Sequence, residues 1–331
     1  MVEFERIVKE NAGYLIIAAL LILYVFTHLS VIGVLCALAI VGLFIYETME
    51  GAREKGWKKE LEEIVVAVLV GVIIWFGAGF LLNTPSPLDA VVSCSMLPHL
   101  ERGDMVVLRG SETKAPSIQV TSFEWEEIKG RMHTTFTCGP CVKQGEYIPY
   151  NFSLCRNGCD NSCLIAIDGK PVFAESNETI FKYNYGLCTL KGKEEVLNNV
   201  CVRSVTIKGK EFKENFSNDV IVYEPEENSV FQSLTIHRAL VRVSVEGKDY
   251  YLTKGDNNEI LDVQAPGYLV KSGGSCKFFS DSRKENKPVS EKNMKGNVIA
   301  RVPYIGYLKL FLWGYIEVPQ GCETTIEKHN E

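Results

Sequence analysis

The chain has 331 residues, a net charge of -6 and a hydrophobic share of 46%. That length accommodates two or three domains or one elaborated one. The acidic balance argues against a nucleic-acid binder, whose electrostatic footprint is a basic stripe. The apolar excess falls in residues 14–82, and the rest has the composition of a soluble domain.

From Tyr14 to Tyr46 no residue is charged. As a single helix this stretch would run roughly 50 Å, too long for an ordinary span. Thr27-His28-Leu29-Ser30 is its only polar break. The reading is two short spans joined there, with His28 as a polar turn residue; a single tilted helix is the alternative. A signal peptide is disfavoured by Glu3, Glu5 and Glu10 and by the length of the apolar run. Residues 64–82, IVVAVLVGVIIWFGAGFLL, are again uncharged. They give roughly 28 Å of helix, about the hydrocarbon thickness. A buried core helix would show a polar stripe, and this segment has none. Between the two lies GAREKGWKKELEE, residues 51–63, which Arg53, Lys55, Lys58 and Lys59 mark as a cytoplasmic basic loop. Everything after Leu82 is then expected outside the cytoplasm, as the extracytoplasmic part of an integral membrane protein. Three sequons agree with that side: Asn151-Phe152-Ser153, Asn177-Glu178-Thr179 and Asn215-Phe216-Ser217.

Just past the last apolar segment stands Val91-Val92-Ser93-Cys94-Ser95-Met96-Leu97-Pro98-His99, followed by Gly103-Asp104 as a turn before the apolar run Met105–Leu108. By composition alone this is a loop with serines. Later come Leu234-Thr235-Ile236-His237-Arg238-Ala239-Leu240, then Leu252-Thr253-Lys254-Gly255-Asp256-Asn257-Asn258 with Asp262 following, then Gly296–Tyr307 ending in Pro303-Tyr304-Ile305-Gly306.

In that order these segments resemble the boxes of the signal peptidase I family. Ser-Met-x-Pro followed by Gly-Asp-x-Val-Val is similar to its nucleophile box. The segment around His237 is similar to the box bearing the general base, which is lysine in bacterial members and histidine in archaeal and endoplasmic-reticulum members. The resemblance covers roughly residues 64–109 and 218–318. It implies a serine endopeptidase with Ser95 as nucleophile, His237 as base, Asp262 as the carboxylate that orients the imidazole, and Asp256 supporting the site by hydrogen bonding. It also implies an oxyanion hole made of the Ser95 main-chain N–H and the Ser93 hydroxyl. These residue types suit the chemistry, because a serine hydroxyl needs a base to take its proton and the base needs an orienting carboxylate. Hydrolysis of this kind requires no metal or cofactor. The implied partners are signal peptides of exported preproteins, membrane lipid, and translocation machinery or accessory subunits, with no nucleic acid.

Two positions depart from the family pattern. Cys94 stands where glycine is usual, and it reads as a small packed residue. His99 stands where threonine often follows the proline, and it is the second candidate for the base. His133 and His329 read as surface residues.

Residues 110–217 separate the boxes and read as a cysteine-rich insertion. Seven of the eleven cysteines fall here: Cys138, Cys141, Cys155, Cys159, Cys163, Cys188 and Cys201. Outside the cytoplasm disulfides are the expectation. Zinc held by Cys138, Cys141, Cys155, Cys159 and Cys163 is the alternative. The odd count leaves one thiol over unless it joins Cys276 or Cys322. Ser204–Ile207 and Phe173-Ala174 suggest β structure.

The expected architecture is a mostly β catalytic domain, of the signal peptidase β fold by resemblance, on an N-terminal transmembrane helical anchor. Its parts are a hairpin (1–50), the basic loop (51–63), the anchor (64–82), a peptidase domain (83–109 and 218–331) and the insertion (110–217). The apolar end, Tyr304 to Val318, is expected to dip into the outer leaflet or to pack in a core. Two other readings stay open. One is a membrane-tethered recognition protein on a degenerate peptidase scaffold, and the other is a processing peptidase with a narrower substrate.

Overall fold

The computed structural model of the protein describes residues 11–132, 166–167, 170–171, 179–192, 196–264, 268–272, 275–279, 286–319 and 321–328. The expectations for Cys138, Cys141, Cys155, Cys159, Cys163, His133, His329, Asn151, Asn177 and Phe173-Ala174 lie outside the described residues. The chain divides into two compact units. The first is Met1–Cys94, Leu100–Gly110 and Ile299–Cys322; the second is Ser95–His99, Ser111–Val298 and Glu323–Glu331.

In the first unit the apolar N-terminal run folds as α1 (Ala12–Thr27) and α2 (Ser30–Lys55), broken at His28-Leu29. His28 takes a left-handed φ of 52° as the cap of α1. With 16 residues, α1 is shorter than the roughly 20 residues of an ordinary span. The helices long and apolar enough to cross a membrane are α2 and α3 (Trp57–Leu81). Most of their apolar side chains are exposed, as suits a lipid solvent.

The expected loop at 51–63 is helical on both sides of Gly56, whose φ of 86° makes the turn. Its Glu, Lys, Arg and Ala are strong helix formers, so high charge here marks helix ends rather than an irregular loop. Lys55 bridges to Glu63 across that turn, 2.8 Å.

Also in the first unit, β1 (Leu88–Ala90) pairs antiparallel with β2 (Met105–Arg109). The apolar C-terminal stretch forms a short helix, α5 (Gly306–Leu312). Its two faces divide the expectation: Tyr307, Leu310 and Phe311 are buried with Tyr24 and Cys36, whereas Tyr304, Leu312 and Trp313 are exposed. Arg102, buried, donates to the Tyr24 hydroxyl at 2.7 Å and to the carbonyls of Tyr315 and Glu317.

The second unit is mostly antiparallel β structure. Its main sheet runs β15 (Met294–Val302), β9 (Val220–Tyr223), β10 (Thr235–Val245), β11 (Lys248–Lys254) and β14 (Val289–Ser290). A further strand, β3 (Ser117–Val120), pairs parallel with β10. β10 is rich in β-branched residues and buried along most of its length, the pattern of a central strand. Two-residue hairpins follow from positive φ at Glu246-Gly247, before β11, and at Lys208-Gly209. The latter joins β7 (Val196–Ile207) to β8 (Lys210–Lys213) in a second sheet ordered β16 (Thr325–Lys328), β6 (Phe181–Lys191), β7, β8. Small pairs complete the described strands: β4 (Ala166–Ile167) with β5 (Lys170–Pro171), and β12 (Tyr268–Ser272) with β13 (Ser275–Phe279).

The described part of 110–217 is not a separate module. β3 lies in the main sheet, and α4 (Ser122–Met132) places Trp125, Ile128 and Met132 in one core with Val205 and Ile207 of β7. That same core holds Leu240, Val243, Leu252 and Leu261 from the region of the main sheet. Cysteine density makes this stretch read as an insertion, whereas the alternation at Ser204–Ile207 correctly marks part of β7. Ile128→Ala should therefore lower the unfolding free energy by about 2–4 kcal/mol within a single transition of the whole unit. Denaturant unfolding followed by intrinsic fluorescence and far-UV circular dichroism checks this. An early, separate transition would mean that the insertion folds alone.

Among the described residues two disulfides are formed. Cys188–Cys201 joins β6 to β7, and Cys94–Cys322 links residues 228 apart in sequence. The reading of Cys94 as a merely packed residue is thereby corrected. It is buried, but as a half-cystine, and its partner's distance along the chain hid the pairing. Cys322 is accordingly not the partner of an insertion cysteine.

Candidate active site

His237 lies near the start of β10, opposite Ile221 of β9. Its ring is buried, and each nitrogen has a partner. Nδ1 lies 2.7 Å from Asp262 Oδ2, and Nε2 lies 2.9 Å from Ser95 Oγ. An ionised carboxylate only accepts, so Nδ1 carries the proton, and the Nε2 lone pair accepts from the serine hydroxyl. The arrangement can pass the hydroxyl proton to Nε2 and hold the resulting imidazolium against a carboxylate.

Asp262 opens a one-turn 3-10 helix (Asp262–Gln264) and is itself buried. Its Oδ2 accepts from three directions: His237 Nδ1, the Thr253 hydroxyl at 2.6 Å and the Tyr223 hydroxyl at 3.0 Å. Those donors come from three adjacent strands, β10, β11 and β9. They replace the hydration lost at Oδ2, whereas Oδ1 is buried without a hydrogen-bond partner.

Ser95 begins the turn Ser95–His99 and is half-buried. Its carbonyl accepts from the Asn257 N–H at 2.7 Å. Asn257 in turn donates to the Thr324 carbonyl and accepts from the Ile326 N–H, tying the start of β16 to the same loop. A Cβ at Gly255 would lie 2.6 Å from the Ser95 carbonyl oxygen and 2.7 Å from Asn258 Nδ2. Only glycine lets this backbone come so close.

Asp256 does not join the His237 line. Its carboxylate pairs with Arg238, Nε to Oδ1 at 2.8 Å and Nη2 to Oδ2 at 2.7 Å, and its Oδ2 lies 3.0 Å from His99 Nδ1. Arg238 also donates to the carbonyls of Phe216 and Asn218. The His99 ring lies 4.7 Å from that of Phe216. Asp256 and His99 thus form a polar cluster on the residue that follows His237. Ser93 is exposed on the bend before Cys94, in the first unit. Among the described residues no group of three or more His, Cys, Asp or Glu could hold a metal ion.

Sequence reasoning missed Tyr223, Thr253 and Arg238. All three stand inside or beside the boxes, but a strand's sequence does not say which neighbour a side chain meets. It also missed Phe231, whose ring stands edge-on to His237 with centroids 5.8 Å apart. No family model, curated protein or solved structure matches the chain.

Burial first, and the Asp262 carboxylate second, push the Tyr223 phenol well above the ordinary value of 10.0. The unfolded chain therefore releases this proton at a lower pH than the folded one does. Stability from this group is fully present below pH 10.0 and falls as pH rises past it. Tyr223→Phe should reduce the alkaline decline by this group's share, leaving that of Tyr251 and Tyr307, as measured by urea unfolding on both sides of the tyrosine value.

Gly255→Ala should lower the unfolding free energy by about 1–3 kcal/mol, since the Ser95 carbonyl as well as the Asn258 side chain blocks the added methyl. An unchanged thermal midpoint would show that the Ser95 turn has room to retreat.

Proposed function

We propose that this chain is a membrane-anchored serine endopeptidase of the signal peptidase I group, in its histidine-based form, which removes signal peptides from exported preproteins. The observation that carries the reading is the buried line of hydrogen bonds from Ser95 Oγ through His237 to Asp262. The order of the resembling boxes supports it independently.

In this reading Ser95 Oγ attacks the scissile carbonyl while His237 Nε2 takes its proton. The Ser95 main-chain N–H stabilises the oxyanion. Collapse of the tetrahedral intermediate expels the amine, which leaves with the proton from His237. A water molecule, deprotonated by the same imidazole, then releases the acyl group from Ser95. Asp262 keeps Nδ1 protonated and stabilises the cation formed in both halves of the reaction.

The apolar helices supply the anchor. Arg53, Lys55, Lys58 and Lys59 at the α2–α3 turn favour a cytoplasmic position for that turn by the positive-inside tendency. A tethered site meets membrane-borne preproteins in two dimensions with orientation partly set, which lowers the entropic barrier to reaction. The substrates are apolar signal segments with small residues before the cut, as the resemblance implies.

Ser95→Ala should abolish cleavage of a preprotein by the full-length protein in detergent or vesicles. Asp262→Asn should reduce kcat roughly 10⁴-fold by stabilising the wrong tautomer. Cleavage followed by gel mobility and N-terminal sequencing of the product reads both. Undiminished cleavage by Ser95→Ala would remove the serine from the mechanism. Absence of cleavage and of serine acylation in the native protein would favour a recognition protein on an inactive scaffold.

A further inference from the structure

We propose that Asn286 is a positioning residue for the Asp262–His237 pair, a role that rests on the peptidase reading above. Asn286 is buried just before β14, which pairs with β11, the strand that carries Thr253. Its side chain works in two directions. Nδ2 donates to the main-chain carbonyl of Asp262 at 2.8 Å. Oδ1 accepts from the Ser229 hydroxyl at 2.5 Å and from the N–H groups of Val230 and Phe231 at 3.1 and 3.3 Å. Ser229 Oγ itself accepts from the Phe231 N–H at 3.2 Å, so the loop and the amide form one network.

That network holds two things that His237 needs. The first is the turn on which the Asp262 carboxylate sits. The second is Phe231, whose ring forms an edge-on wall to the imidazole. Loss of the Nδ2 donor would leave a buried carbonyl unpaired and free the Asp262 turn to rotate. Loss of the Oδ1 acceptor would strand the Ser229 hydroxyl and the Val230 N–H, leave the Phe231 N–H only its bond to Ser229 Oγ, and release the aromatic wall. Either change leaves the hydroxyl, imidazole and carboxylate in place chemically, but no longer in line. A positioning fault of this kind lowers the rate of the chemical step more than it weakens substrate binding.

The test is steady-state cleavage of a purified preprotein by the detergent-solubilised full chain carrying Asn286→Ala or Asn286→Asp. Each variant is also combined with Asp262→Asn, with Ser95→Ala run alongside. The aspartate variant keeps the size and the acceptor but not the amide donor, so it decides the matter if the alanine variant does not fold. In the native background each should lower kcat roughly tenfold, the rate equivalent of one buried hydrogen bond, with KM held within about twofold. In the Asp262→Asn background the further loss should shrink to about twofold or less, because residues acting through one another are not additive. A merely structural asparagine would give the same loss in both backgrounds and overturn the proposal. Native kcat in both Asn286 variants, with Ser95→Ala inactive, would overturn it and leave the peptidase reading intact. Full cleavage by Ser95→Ala would overturn both.

Discussion

A carboxylate buried under a sheet is tolerated only where donors replace the water it has lost, and Asp262 has three of them on one oxygen. The rest of the second unit is arranged around that requirement. β9 brings Tyr223, β10 brings His237 and β11 brings Thr253, so the order of three neighbouring strands is what assembles the site. The carboxylate then fixes the imidazole tautomer, and the free ring nitrogen meets Ser95. A neighbouring device, the Arg238–Asp256 pair, holds the residue after His237 against the loop that backs the serine carbonyl. Nucleophile and base are thus supported by the same short loop, Gly255–Asn258, from two sides.

The stretch between the boxes changes meaning once it is seen folded. β3 extends the main sheet, and α4 fills the core beneath it together with β7. What the sequence presents as an insertion carries part of the domain's hydrophobic interior. Stability and site geometry are therefore coupled through shared core side chains such as Leu252 and Leu261, which lie close in sequence to Thr253 and Asp262. The Cys188–Cys201 disulfide adds a local cross-link within this region, closing a loop of 13 residues.

The first unit follows a different rule. Its helices α2 and α3 expose apolar side chains over most of their surface and are long and apolar enough to cross a membrane. The two terminal nitrogens of the buried Arg102 guanidinium donate to the Tyr24 hydroxyl and to two carbonyls near the end of α5, whereas its Nε has no hydrogen-bond partner. The aromatic contacts of Tyr24 with Tyr307 and Phe311, at 5.3 and 4.9 Å between centroids, close the same cluster. The Cys94–Cys322 disulfide fastens the end of this unit to the residue before Ser95.

The sequence by itself determined the local features, because local features are written in adjacent residues. It marked the uncharged helices by length, the break at His28, the β character of Thr235–Val245, and Ser95, His237, Asp256 and Asp262 as the residues to watch. It misread the segment at 51–63, where charge was taken for a loop although the same residues favour helix. It also misread Cys94, whose partner lies 228 residues away. Only the tertiary structure decided which hydroxyls hold Asp262, and that Asn286 ties its turn to Phe231. Those contacts join residues tens to hundreds of positions apart, and they exist through strand order and register, which no single segment specifies.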